Sequence, residues 1–196
     1  IGEQAIKNNE LAIVTMAGGQ GTRLGHNGPK GTYIMKEIDN KSIFELLCEK
    51  FKKGYEQFGV YVPWYIMTSR QNDAATRKFF KKNNYFGYPE NNIVFFVQGE
   101  LPVLDEDGKL MLNSEGMVNK VSDGHGGIFS SLRESGNLYD MKSRGVKWVY
   151  IGGVDNIIAN FIDPYLIGLC KKKGVSVGGK SVIKANPVER VGVFCK

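Results

Sequence analysis

The feature that most constrains this chain is a glycine-rich loop placed directly after a short apolar run. The run Leu11–Ala17 has the composition of a buried strand, and residues 16–30 then hold five glycines together with Arg23 and Lys30. Glycines let backbone N–H groups approach an anion without a Cβ in the way, and the two cations add charge. The loop therefore predicts a polyphosphate-binding site at a strand end, and the alternative is a turn that only reverses the chain.

This loop matches neither of two commoner phosphate-binding motifs. A Walker loop requires Gly-x-x-x-x-Gly-Lys-Ser/Thr, whereas Lys30 follows a proline and precedes Gly31. The dinucleotide fingerprint Gly-x-Gly-x-x-Gly begins at Gly19 and Gly21, but Leu24 occupies its third glycine position. The loop is therefore assigned to neither of these two classes.

The bulk composition is that of one globular domain with a sizeable core. The chain has 196 residues, of which 42% are hydrophobic and 23% are charged. Its net charge of +6 fits an anionic partner, but no arginine-rich tail or lysine block stands out. We therefore expect no nucleic-acid partner.

Two sequence features bear on where the protein resides. No apolar run approaches the roughly 18–20 residues that span a bilayer, so we expect no membrane partner. The three cysteines form no CxxC pair, and Cys48 and Cys170 lie in apolar stretches that predict buried thiols. A reducing, cytoplasmic location is the simplest interpretation.

Strands and helices alternate along the chain, which predicts an α/β fold. The runs that predict strands are Leu11–Ala17, Val62–Met67, Asn92–Gln98, Trp148–Gly153 and Val175–Ala185. The segments that predict helices are Ser42–Phe58, Ser69–Asn83, Gly127–Glu134, Leu138–Arg144 and Pro164–Lys173. A turn over Asp105–Gly108 predicts a hairpin. We expect a three-layer, Rossmann-like sandwich around a mixed, mostly parallel sheet.

Polar segments follow three of the predicted strands. They are the glycine-rich loop, Gln98-Gly99 after Val97, and Asp155-Asn156 after Gly153. Ligands of open parallel sheets lie beyond the carboxyl ends of the strands, so these segments are expected to share one site. The alternatives are that Gln98 caps a strand end and that Asp155 is the N-cap of a following helix.

The segment Ala17–Gly25, followed by Pro29-Lys30, resembles the signature of the UDP-sugar pyrophosphorylases, a family of nucleotidyltransferases. Five further segments, in the family's order, bring the resemblance closer to the UDP-N-acetylhexosamine pyrophosphorylases. These segments are Val62–Ser69, Val94–Pro102, Ser122–Phe129, Gly153–Asn156 and Lys184–Glu189. The resemblance implies the nucleotide-diphospho-sugar transferase form of the predicted fold.

The resemblance also implies a reaction. UTP and an N-acetylhexosamine 1-phosphate would give UDP-GlcNAc, or UDP-GalNAc, and pyrophosphate. The sugar phosphate would attack the α-phosphorus in line, so catalysis would come from aligning two anions and neutralising the leaving group. Mg²⁺ would share this work as the expected cofactor.

Residue roles implied by the resemblance fall into three sets. Arg23 would grip the β- and γ-phosphates, and Lys30 would contact the α-phosphate, with a solvated loop charge as its alternative. The residues expected to bind the nucleotide are Gly18, Gly19, Gln20, Gly21, Thr22, Gln98, Gly124 and Asp155. Asp155 is also the expected ligand of Mg²⁺. The residues expected near the sugar are His125, Tyr33 and Asn156.

Two departures from the family pattern leave alternatives open. His125 stands where the hexosamine branch usually has asparagine, so a plain hexose 1-phosphate follows GlcNAc- and GalNAc-1-phosphate as a possible substrate. Family members are about twice this length, and Val191–Lys196 has the pattern of a strand that has only begun. We therefore expect residues 1–196 to be part of a nucleotidyltransferase catalytic domain that is poorly active by itself.

Two further functions compete with this interpretation. One is a nucleotide-binding module without turnover, which the short chain favours. The other is a nucleotidyltransferase that uses CTP, ATP or GTP. Gln98 favours uracil, because a side-chain amide offers the paired donor and acceptor that the uracil edge needs.

Overall fold

The computed structural model describes residues 1–189 and 191–192, and a parallel sheet of four strands forms its centre. These strands are β1 (Leu11–Met16), β4 (Trp64–Thr68), β5 (Ile93–Val97) and β8 (Trp148–Gly153), arranged in the order β5-β4-β1-β8. Two short antiparallel ribbons accompany the sheet. They pair β2 (Ile34–Met35) with β3 (Lys41–Ser42), and β6 (Glu100–Pro102) with β7 (Lys120–Ser122).

Six α-helices occur in the described part of the chain. They are α1 (Gly2–Lys7), α2 (Ile43–Phe58), α3 (Asp73–Lys82), α4 (Ile128–Glu134), α5 (Asn137–Ser143) and α6 (Pro164–Lys173). None of these helices combines the length and the apolar character needed to cross a membrane.

Successive residues of the central strands fill two separate cores, because side chains of a strand point alternately to opposite faces. Ile13 and Trp64 pack on one face against residues of α1, α2, α3 and α6. Val14 and Tyr65 pack on the other face against α4 and α5. The predicted three-layer α/β arrangement is confirmed, and Trp64 is fully buried in the central sheet.

Helices α2 and α6 were predicted to within one residue. Ser42 and Glu45 form a capping box at the start of α2, with Glu45 N donating to Ser42 Oγ over 3.1 Å. Helix α6 spans the predicted range, and Asp163 Oδ1 accepts from the N–H groups of its first turn. The helix ends at Gly174, whose φ of 64° suits the left-handed C-cap position.

Helix α3 begins at Asp73, later than the predicted Ser69. Residues 69–72 form a turn instead, in which Asn72 Oδ1 accepts from Ser69 N over 2.9 Å. An asparagine that bonds its own local backbone competes with the helix, which moves the start of the helix past it.

The prediction of a strand over Val175–Ala185 is wrong. These residues have no regular secondary structure, and Val177 and Ile183 are 84% and 98% exposed. A β-branched run becomes a strand only where a partner strand and a buried face are available, and this segment has neither among the described residues. The predicted beginning of a strand at Val191–Lys196 lies largely outside the described residues.

Both cysteines in the described residues, Cys48 and Cys170, are buried free thiols as predicted. Burial raises the pKa of the Cys48 thiol far above its usual value, which keeps the thiol protonated.

The predicted turn over Asp105–Gly108 is also present, between the bridged residues Leu104 and Leu110.

Gly31 offers a test of how tightly the segment after the glycine-rich loop packs on α2. A methyl group at this buried position would lie 2.2 Å from the ring of Phe44. We expect Gly31→Ala to lower the free energy of unfolding by about 1–3 kcal/mol, as overpacking does. The measurement is urea unfolding followed by circular dichroism.

Gly179→Ala is the matched control, because nothing lies within 4 Å of a methyl group there. An unfolding midpoint unchanged in both variants would show that Phe44 has room to move.

Candidate functional site

A cleft of about 560 Å³ lies beyond the carboxyl ends of the four parallel strands. The strand register brings these ends level, since Met16 of β1 pairs with Met67 of β4 on one side and with Gly153 of β8 on the other. The lining residues therefore come from loops that are distant in sequence. They are Met16, Gly18, Gly19, Gln20, Gly21, Arg23, Leu24, Lys30, Met67, Gln98, Ser122, Gly124, His125, Gly153, Val154 and Asp155.

The glycine-rich loop closes on itself. Lys30 N donates to Gly19 O over 3.0 Å, and Gly21 N donates to Gly28 O over 2.9 Å. These bonds return Lys30 to the start of the loop, beside the end of β1. The loop is therefore a closed ring that delivers its lysine to the cleft.

Two glycines of this ring lie in close contact with neighbouring side chains. A methyl group at Gly18 would lie 2.6 Å from Gln98 Oε1, and one at Gly21 would lie 2.8 Å from the Cβ of His26. Backbone conformation requires glycine elsewhere, because Gly25 has a φ of 66°. Gly18 thus allows the amide of Gln98 to lie directly against the loop.

His26 braces the inside of the ring. Its Nε2 lies 2.8 Å from Thr32 Oγ1, and the Thr32 hydroxyl donates its own hydrogen to Pro29 O over 2.8 Å. The hydroxyl is then able to accept a hydrogen bond from the Nε2–H tautomer of His26. This chain of hydrogen bonds ties the loop to the segment that carries Lys30.

Asn72 supports the loop from the protein interior, and sequence reasoning missed it. Its side chain is fully buried, and Nδ2 donates to Ala17 O over 3.0 Å and to Gly19 O over 3.3 Å. A single asparagine in a polar segment just after β4 has no distinctive sequence pattern, so its burial and its role could not be predicted.

Lys30 and Asp155 form an ion pair inside the cleft. Lys30 Nζ donates to Asp155 Oδ2 over 2.6 Å, and the side chains are 27% and 58% exposed. The hydrogen bond from Lys30 holds the pKa of the Asp155 carboxyl below its usual value. Lys30 is therefore not a freely solvated charge, which was the alternative expected from the sequence.

Asp123 joins the Gln98-Gly99 segment to the loop after β7. Its backbone N donates to Gly99 O over 3.1 Å, and its carboxylate lies where side chains at Gly99 or Gly127 would collide with it. Asp123 Oδ1 is buried and has no hydrogen-bond partner among the described residues. This aspartate belongs to the segment Ser122–Phe129 of the family resemblance, which implied no role for it.

The structure brings together ten of the thirteen predicted site residues, and their individual roles stay predictions. Thr22 is exposed and is not part of the lining. Tyr33 packs edge-on against His26 and on the core, and Asn156 Oδ1 accepts from Ala159 N over 3.2 Å. No described helix begins after Asp155 until Pro164, so the N-cap interpretation of Asp155 is wrong.

Apolar lining residues were also missed. Three of them lie at a strand end or directly follow one, namely Met16, Met67 and Val154. Their side chains contribute apolar surface to the cleft and no polar group. Their types are typical of any core position, so only their place at the strand ends distinguishes them.

A second groove, of about 630 Å³, runs along β8 and α6. It is lined largely by apolar side chains, and its lysines are already paired, Lys147 with Glu10 and Lys180 with Asp163. The glycine loop, the cations and the amide lie instead in the cleft at the strand ends.

The lining of the cleft contains one carboxylate, that of Asp155. Among residues 1–189 and 191–192, no three His, Cys, Asp or Glu side chains form a metal-binding group. Mg²⁺ is commonly held by one or two carboxylates together with substrate phosphates. The donor set therefore fits a magnesium ion that is shared with a bound polyphosphate.

The fold and the cleft define a nucleotidyltransferase-like protein, and sequence comparison specifies the family. The family model described as UTP--glucose-1-phosphate uridylyltransferase matches residues 2–196. The chain belongs to this family.

Individual relatives and solved structures agree with this assignment. The chain is 38% identical over its whole length to UDP-N-acetylglucosamine diphosphorylase 2 of Arabidopsis thaliana. It matches the uridine diphosphate N-acetylglucosamine pyrophosphorylase of Trypanosoma brucei, solved in complex with an inhibitor, with a TM-score of 0.90 and 34% identity over 99% of the chain. The match to a variant of UDP-glucose pyrophosphorylase from Leishmania major has a TM-score of 0.74 and covers 86% of this chain and 35% of that protein. At 21% identity, this match supports the fold alone. The chain spans only 41% of the length of the first two proteins.

Asn72 provides a test of the support beneath the loop. In Asn72→Asp the donor is lost and a carboxylate faces the carbonyl oxygens of Ala17 and Gly19. We expect the free energy of unfolding to fall by about 1–3 kcal/mol, as for a buried group left unsatisfied. Denaturant titration measures the change.

Asn113→Asp is the matched control for this exchange. The exposed Asn113 side chain only accepts, from Glu115 N and Met117 N, and aspartate accepts equally well. Equal stability of both variants would contradict a supporting role for the Asn72 donor.

Proposed function

We propose that the polypeptide containing this chain transfers a uridylyl group from UTP to an N-acetylhexosamine 1-phosphate. The products are UDP-GlcNAc, or UDP-GalNAc, and pyrophosphate. The observation that carries the proposal is the convergence of Arg23, Lys30 and Gln98 in one cleft at the strand ends. The names of the relatives in Arabidopsis and Trypanosoma support the same activity.

The reaction needs little covalent chemistry from the protein. A phosphate oxygen of the sugar phosphate attacks the α-phosphorus, the bond from that phosphorus to the bridging oxygen breaks, and pyrophosphate leaves. Arg23 neutralises the leaving pyrophosphate and Lys30 stabilises charge at the α-phosphate. Positioning of the two anions supplies much of the remaining acceleration.

Recognition of the base rests on the amide of Gln98. The Gln98 side chain lies against Gly18 and forms one wall of the cleft. The loop with Gly124 and His125 lines another part of the cleft. An amide can pair with the uracil edge as donor and acceptor at once. This complementarity supports UTP over CTP, ATP and GTP.

Asp155 would hold Mg²⁺ together with the nucleotide phosphates. The ion would supply positive charge to the phosphates during the transfer. The single carboxylate in the lining of the cleft supports such a shared site.

We further propose that residues 1–196 are part of a larger catalytic domain that acts in the cytoplasm. The 41% coverage of the relatives supports a longer polypeptide, which would complete the sugar pocket. The buried free thiols Cys48 and Cys170 support a reducing compartment. The chain alone is then expected to bind UTP and to turn over poorly.

A pyrophosphate-release assay on the longest polypeptide that contains this chain tests the function. It compares UTP, CTP, ATP and GTP, each with GlcNAc-, GalNAc- and glucose-1-phosphate. We expect release with UTP and an N-acetylhexosamine phosphate. UTP that binds without any release would favour a nucleotide-binding module.

Substitution of Arg23 tests whether this residue neutralises the charge of the leaving pyrophosphate. We expect Arg23→Ala to lower kcat about 10²-fold, since one electrostatic contact to the transition state is lost. The control is Arg70→Ala, because Arg70 pairs with Glu100 and is not part of the lining. Steady-state kinetics gives both values, and equal rates for the two variants would remove Arg23 from this role.

His125 is the observation that favours a plain hexose as a second candidate substrate. It is exposed in the lining, at the position where the hexosamine branch usually has asparagine. We expect His125→Asn to raise the ratio of kcat/KM for GlcNAc-1-phosphate over glucose-1-phosphate. The comparison uses the same longest polypeptide, and an unchanged ratio would place the histidine away from the sugar.

A further inference from the structure

The ion pair between Lys30 and Asp155 joins two residues with opposite tasks. Lys30 comes from the loop after β1 and Asp155 follows β8, yet their charged atoms lie 2.6 Å apart. Under the proposed function, Lys30 serves a phosphate and Asp155 serves a divalent cation. While the pair is intact, each charge is partly neutralised by the other before a ligand arrives.

The pair is weak enough to be exchanged. Both side chains are partly exposed, and ion pairs of this kind contribute about 0–1 kcal/mol. A polyphosphate can therefore draw Lys30 away at modest cost. The exchange leaves the Asp155 carboxylate unpaired beside a polyanion, and repulsion there falls only when a cation joins it.

A cation that binds first meets the converse situation. It must draw Asp155 away from Lys30, which leaves an unpaired ammonium in the cleft. That ammonium is then available to a phosphate. Each of the two ligands must therefore break the same ion pair, the polyphosphate by binding Lys30 and the cation by binding Asp155.

We propose that Lys30 and Asp155 mask one another, so that UTP and a divalent cation enter the cleft as interdependent ligands. Each ligand takes one member of the pair and releases the other for its partner. The inference rests on the proposed function for the identity of the two ligands. It adds that each ligand raises the affinity for the other by the same factor.

Simple repulsion between Asp155 and the nucleotide is the rival explanation. Repulsion alone makes removal of the carboxylate equally favourable whether or not Lys30 is present. Masking makes the gain depend on Lys30, since only a released ammonium provides it. A double-mutant cycle separates the two explanations.

The experiment is calorimetric titration of the longest polypeptide that contains this chain with UTP, in EDTA and again with Mg²⁺. The proteins are the unmodified chain, Asp155→Asn, Lys30→Met and the double variant. Glu49→Gln is the matched control, because it removes the carboxylate of a comparable pair with Lys41 that lies outside the cleft lining. Circular dichroism and thermal unfolding verify the fold, and Asp155→Ala serves as a second removal of the carboxylate.

In EDTA, we expect Asp155→Asn to bind UTP about two- to five-fold more tightly, the factor that corresponds to a partly exposed ion pair. The gain should vanish when Lys30 is methionine, and the control should bind as the unmodified chain does. Mg²⁺ should tighten binding to the unmodified chain and have a much smaller effect on Asp155→Asn.

An equal gain in the presence and absence of Lys30 would overturn the masking, and so would unchanged or weaker binding of UTP by Asp155→Asn in EDTA. These outcomes leave the proposed function intact, because UTP still binds. Failure of the unmodified chain to bind UTP even with Mg²⁺ would instead overturn the proposed function and this inference together.

Discussion

The register of β1 between β4 and β8 is the constraint on which the rest of the site depends. Met16 lies opposite both Met67 and Gly153, so the parallel strands stop at one level. Each loop that leaves this edge enters the same cleft, however far apart the loops are in sequence. Because the sheet is covered on both faces, a shift of one residue would move buried side chains to the wrong core, which holds the register in place.

On this rigid platform the cleft combines one stiff wall with one exchangeable contact. The glycine-rich ring is closed by its own backbone and held by Asn72 from the interior. The contact between Lys30 and Asp155 crosses the cleft and is partly exposed. The backbone that shapes the site is thus fixed, while the charges that would act on a ligand can change partners.

Much of this arrangement could be predicted from local patterns. The helices over Ser42–Phe58 and Pro164–Lys173 were predicted to within one residue, because the caps that bound them depend on only a few neighbouring residues. The strand expected over Val175–Ala185 was wrong for the opposite reason. A strand needs a partner, and propensity within the segment does not say whether one is present. Tyr33 was expected near the sugar, but its ring packs on His26 and the core, a placement that depends on how the loop folds back.

By itself, the sequence determined the order of the four central strands and of five of the six described helices, the glycine-rich loop with its two cations, and the family resemblance that named Gln98 and Asp155. All of these are properties of neighbouring residues or of a pattern read along the chain. Only the tertiary structure decided that Lys30 lies against Asp155, that Asn72 supports the loop, and that Gly18 makes room for Gln98. These contacts join residues far apart in the chain, and their distances are set by strand register and packing, which no local pattern records.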